Sequence, residues 1–212
     1  MADQKDFHRV RRAPKRGHYD SETIHRILVN NFICHIALES DGQVFSIPTM
    51  YGRDGDLIYI HGASTSRMIN HSSTHTITLS VVRVNDLVLA KSAFHHSMNY
   101  ESVVVFGKGR LVKEDEKLHA LKVISDHVLP GRWEESRLPN EKELKATSVV
   151  AISIEQASAK MRTGEPNDDK EDQDLPIWSG LLPLDTKWGR PIAQDPSQTI
   201  LPNSLRSKMK LD

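Results

Sequence analysis

Two Asp-Gly pairs, Asp41-Gly42 and Asp54-Gly55, cut a β-prone stretch into runs at residues 32–38, 44–51 and 57–60. Asp-Gly suits the two-residue turn between antiparallel strands, because both central positions of that turn need positive φ. The first third of the chain therefore reads as an antiparallel meander. Further strand-like runs occupy residues 76–82, 101–112 and 148–154, with Gly107 and Gly109 suggesting a bulge or a close backbone approach. Helical spacing of Ile24, Ile27 and Leu28 behind Asp20 or Ser21 as N-cap predicts a short helix that ends at Asn30-Asn31. Residues 66–71 read as a second short helix. Residues 114–128 read as a longer one, stopped at Pro130-Gly131. Six strands, two or three helices and no alternating βαβ pattern predict a mainly β fold, a six-stranded antiparallel barrel with peripheral helices.

The organisation expected from composition has three parts. Residues 1–19 form a basic arm, with Arg11, Arg12, Lys15 and Arg16; residues 20–184 form one domain; residues 185–212 form a Pro-rich, loosely packed tail. Residues 160–173 have loop composition, and the apolar run 175–184 needs something to pack on. Lys and Arg balance Asp and Glu at 28 each, so no global field points to nucleic acid or to an anionic membrane. No window approaches a membrane span, and no apolar leader follows the basic start. The single cysteine, Cys34, offers neither a disulfide nor a cysteine-rich zinc site, which fits a reducing cytoplasm.

Three clusters have the chemistry of a binding site. His61-Gly62-Ala63-Ser64-Thr65-Ser66-Arg67 lies where a strand gives way to a helix. Free backbone N–H groups, three hydroxyls and a guanidinium there suit a phosphate, although an ordinary capped helix has the same look. Residues 92–102, including His95, His96, Tyr100 and Ser102, collect hydrogen-bonding side chains at the mouth of an apolar strand, as the rim of a planar ligand pocket would. Adjacent histidines with no His-x-x-x-His pair beside them do not make a zinc site. Arg162 and Trp178 flank the acidic loop, where an Arg can pair an anion and a Trp can cover an aromatic ligand or serve as a buried structural residue. Walker A, Gly-x-Gly-x-x-Gly and Gly-x-Ser-x-Gly patterns are absent. Cys34, inside a strand run, is given no chemistry.

In this order, Ser46-Ile47-Pro48-Thr49-Met50-Tyr51, Leu57 to Ala63 with Ser66-Arg67, Tyr100 to Gly107, Lys160 to Gly164 and Trp178 to Leu184 resemble the FMN-binding split β-barrel superfamily. The likeness is to the branch related to pyridoxamine 5'-phosphate oxidase, which includes nitroimidazole-resistance reductases. The resemblance implies a homodimer with two FMN sites at the subunit interface. Ile47, Pro48 and Thr49 would lie along the flavin, while His61, Ser66 and Arg67 would hold ribityl and phosphate. Tyr100 and Ser102, with His96, would come from the partner chain. Met68 stands where relatives often have Lys, so one phosphate contact is missing or taken by Ser64 or Thr65. The full substrate-binding set of a pyridoxamine phosphate oxidase is not matched. The function implied is an FMN-dependent oxidoreductase in which the flavin does the chemistry. The alternatives are a flavin carrier or sensor, a haem-binding member with His61, His95 or His96 as axial ligand, and a deazaflavin F420 protein.

Overall fold

The computed structural model describes residues 7–210, and the chain divides into two compact units. The larger unit comprises Phe32–Ser80, Val105–Gln156 and Lys187–Asp212. Its sheet starts with β2 (Ile33–Ser40), β3 (Gln43–Asp54) and β4 (Leu57–Ala63) as consecutive antiparallel neighbours. β8 (Thr147–Ser153) pairs β4, and the two-residue β7 (Arg110–Leu111) pairs β8. The first part of β5 (Thr76–Leu89) pairs the other edge of β2, with His35 opposite Ser80. Cys34, Ile36 and Leu38 alternate inward along β2 and are fully buried or nearly so. Burial pushes the Cys34 thiol up to about 12, which keeps it un-ionised and inert.

The two Asp-Gly turns differ. Ser40 pairs Gln43, so Asp41 and Gly42 are the central residues, and both have positive φ (54° and 74°). At the second hairpin Asp54 pairs Leu57, which places Gly55 and Asp56 at the tip with positive φ only at Gly55. That is the turn with glycine first, so the register sits one residue later than Asp54-Gly55 suggested.

Helix α2 (Arg67–Thr74) follows β4, and α3 (Glu114–Val128) lies on the sheet with Ala120 and Ile124 buried beside Tyr59, Val149 and Ala151. Gly52 permits that approach, because a Cβ there would sit 2.6 Å from the Ile124 backbone. The short α4 (Glu141–Ala146) carries a complete capping box between Asn140 and Glu143. The C-terminal stretch of this unit holds α5 (Asn203–Met209), where Ser204 donates to the Glu135 carboxylate, and Trp188, whose ring lies 5.7 Å from Phe32 and under the Lys208 ammonium.

The smaller unit comprises Met1–Asn31, Val81–Val104 and Ala157–Thr186. It holds β1 (Gly17–His18), α1 (Ser21–Val29), the first part of β6 (Ser97–Lys108), β9 (Ala157–Arg162) and β10 (Gly180–Pro183). Asp20 caps α1 by accepting from the Thr23 N–H at 2.8 Å. β1 pairs β9, and β10 pairs the end of β5 with Leu182 opposite Leu87. Residues 160–162, expected as loop, are thus the end of a strand, and the apolar run after the acidic loop packs as a strand of its own. The fold is mainly β and antiparallel, with ten strands among the described residues where six were expected. The additional ones are β1, β7, β9 and β10, of which two are only two residues long.

Candidate functional site

In the larger unit, β3 pairs β2 along residues 43–50 but meets β4 only from Tyr51 onward. Residues 43–50 therefore present a strand edge with no partner among the described residues, and Pro48, which has no N–H to offer, fits such an edge. Ile47 and Thr49 are half-buried there while Pro48 is exposed. Arg67 opens α2 with its guanidinium 4.6 Å from the centre of the Phe45 ring and no carboxylate partner among the described residues. Ser66 is the N-cap, yet its hydroxyl makes no capping bond. Ser64 is held by its own N–H to Ala146 O, which leaves its side chain exposed. The structure thus brings Phe45, Ser64, Ser66 and Arg67 into a group of uncommitted donors beside an aromatic ring, as phosphate binding requires. Met68 is buried in the core and supplies no donor.

His61, at the end of β4, belongs to a different environment. It lines a cavity of about 550 Å³ with Met50, Leu121, Ile124, Val128, Leu129, Trp133 and Leu144, and with Arg132 at its wall. The volume lies in the range of about 300–1,000 Å³ usual for cofactor pockets, and the lining is overwhelmingly apolar. The imidazole Nδ1 is buried without a hydrogen-bond partner among the described residues. Burial also holds this imidazole below its ordinary range, so it is neutral at physiological pH and keeps a lone pair for a metal. The Arg132 guanidinium has, among the described residues, only a 3.8 Å ion pair with Glu135. The sequence singled out His61 but none of the other walls. Their one signal is the row Leu121, Ile124, Ser125 and Val128, which reads equally well as an ordinary core face.

The remaining expected site residues lie in the smaller unit. Ser102 donates to Lys160 O at 3.2 Å, and His96 Nε2 lies 3.1 Å from Ala90 O. Arg162 bonds Asn99 and the Gly164 carbonyl, so its guanidinium braces the Gly164 turn. Tyr100 is half-buried, and Trp178 is 67% exposed against Gly180, which makes it no core residue. His95 is bound to Asp169 at 2.9 Å. His71 and His75, at i, i+4 spacing on and just after α2, stack ring on ring at 4.3 Å rather than converging on a point. No group of three or more metal-ligating side chains occurs among the described residues, and no described helix is long and apolar enough to cross a membrane.

A family profile described as pyridoxamine 5'-phosphate oxidase matches residues 20–161. The chain belongs to the pyridoxamine 5'-phosphate oxidase family. Among solved structures similar to this one, the flavocytochrome Anf3 from Azotobacter vinelandii is 33% identical over 96% of each chain, with a TM-score of 0.89. The FAD and heme binding protein from Mycobacterium smegmatis is 31% identical over 91% of this chain and 97% of its own, with a TM-score of 0.87. A putative 5-nitroimidazole antibiotic resistance protein from Bacteroides thetaiotaomicron shares the fold at 19% identity, over 68% of this chain and 85% of its own, with a TM-score of 0.55. No curated protein matches.

Proposed function

We propose that this member of the pyridoxamine 5'-phosphate oxidase family is an oxidoreductase that holds both a flavin nucleotide and a haem. The observation that carries the haem is the apolar cavity with a neutral, half-buried histidine whose buried ring nitrogen lacks a partner. Two solved relatives above 30% identity are named a flavocytochrome and an FAD and heme binding protein, which supports the pairing. The donor set fits. His61 would ligate the iron, Arg132 would pair a propionate and the α3 face would give the apolar cover; a bound haem would supply one-electron chemistry. This moves His61 away from the flavin, to which the resemblance had given it.

The flavin site is built from the β3 edge at Ile47, Pro48 and Thr49 and from the phosphate donors Ser64, Ser66 and Arg67. His96, Tyr100, Ser102, Arg162 and Trp178 of a second copy complete it, in a homodimer of split barrels. The flavin supplies hydride and electron transfer, and the chain's own groups bind, orient and exclude water. FAD rather than FMN is favoured, because FAD is the flavin named for the mycobacterial relative.

Two variants separate the sites. Arg67→Ala loses a charge-assisted contact worth about 1.5–3 kcal/mol and lowers flavin retention while haem content is kept. His61→Ala loses haem and keeps flavin. Unchanged content of both cofactors in both variants overturns the assignment.

A further inference from the structure

The cavity wall that faces the sheet carries no second metal ligand of ordinary strength. Helix α3 contributes Leu121, Ile124, Ser125 and Val128, which form one helical face, and Leu129, Trp133 and Leu144 extend it. Hydrocarbon, an indole and one hydroxyl make up that surface.

Three other lining residues, Met50, Thr147 and Glu143, have oxygen or sulfur donor atoms, and none stands opposite His61; Thr147 belongs to the same sheet, in β8 opposite Ala63. Met50 offers a thioether, but it sits on the same sheet. Tyr51 pairs Ile60 in the β3–β4 ladder, and the register carried on by one residue sets Met50 beside His61. Tyr51 and Ile60 are fully buried on the other face, so Met50 and His61 share the cavity face. Cross-strand neighbours have Cβ atoms about 4.5–5.5 Å apart. Their side chains approach a common iron from one side, whereas axial ligands must approach from two. Glu143 is committed elsewhere: its carboxylate pairs with Arg137 at 2.7 and 3.0 Å and accepts the Asn140 N–H at 2.8 Å.

Resting on the haem reading above, we infer that His61 is the one protein ligand of the iron and that the position opposite it is open, facing the apolar surface of α3. The ligand class this surface admits is a small neutral diatomic molecule, such as carbon monoxide, nitric oxide or dioxygen. Leu121, Ile124 and Val128 offer an incoming anion neither charge nor a row of N–H donors, Arg132, the one cation of the lining, would be taken by a propionate, and burying an unpaired charge there is strongly unfavourable.

The test titrates haemin into the purified full chain and records ferric, ferrous and carbon monoxide spectra. The expected result is a ferrous five-coordinate, high-spin spectrum that shifts on adding carbon monoxide at one per haem. His61→Gly weakens haem binding by more than about 100-fold, since even outer partners of metal ligands account for about 10–100-fold, and imidazole restores it. Met50→Leu leaves the spin state unchanged. A six-coordinate low-spin ferrous spectrum that ignores carbon monoxide overturns the inference, as does a Met50→Leu variant that converts low spin to high spin. Failure of the haem reading looks different: haemin then produces no Soret shift at all, in wild type or variant.

Discussion

At Gly52 the helix α3 backbone comes so close to the sheet that an added Cβ would overlap Ile124 N and Cα at 2.6 Å. Backbone atoms cannot swing aside as a side-chain tip can, so Gly52→Ala forces α3 off its seat. We expect a loss of about 3 kcal/mol, at the top of the usual overpacking range, read as a shifted denaturant midpoint. Gly55→Ala makes the contrast: nothing lies within 4 Å, and the cost of about 1–2 kcal/mol comes from positive φ alone. Because α3 is also the cavity wall, Gly52→Ala lowers haem retention as well, whereas Gly55→Ala does not. Equal effects of the two on haem content would separate α3 from the cavity. Arg67 is the other residue on which the account turns. Its guanidinium rests on Phe45 with no acid beside it among the described residues, so its charge is left for an anion.

Among the elements, the acidic stretch after β9 is tied down by groups far away in sequence. The Lys91 N–H donates to Asp168 at 2.7 Å, the Lys91 ammonium reaches the Leu175 carbonyl at 2.8 Å, and His95 pairs Asp169. Asp169 holds the His95 imidazole above its ordinary value of 6.5. A raised folded value means that the pair contributes fully below about 6.5 and is lost as pH rises through the folded value. Limited proteolysis between Glu165 and Asp174 is therefore slowest in mild acid and speeds up as pH rises, and Asp169→Asn removes that dependence. A wild type and variant cut alike at every pH would remove His95 as a latch. This stretch also shows where sequence reading stops. β2, β3, β4 and β8 were legible because their runs alternate or are continuously apolar between clear turn signals. β9 was not: Ala157-Ser158-Ala159-Lys160-Met161-Arg162 has little β propensity, and it is a strand because it lies between β6 and β1 in the sheet. β10 lies in the apolar run 175–184, which called for a packing partner but, with Pro176 and Pro183 in it, showed no strand pattern. The phosphate-type cluster at Ser64, Ser66 and Arg67 was legible from local chemistry, whereas the cavity was not, since its walls come from four segments that meet only in the folded chain.

For the whole molecule, many large apolar side chains remain exposed: Val44, Met50, Trp188 and Ile192 in the larger unit, and Phe94, Trp178, Leu182 and Leu184 in the smaller. With the free edge of β3, they are what a dimer with shared flavin sites would cover. Mixed dimers of Arg67→Ala and Ser102→Ala chains then regain one intact flavin site of two, and recovery of none would argue against sharing. Whether one chain holds two redox groups is read from the absorbance spectrum of the purified protein, recorded before and after heat release, with the released pigments separated by chromatography. One flavin, FAD by its mobility, and one haem per chain is the result expected; a colourless protein that takes up neither when both are supplied would contradict it.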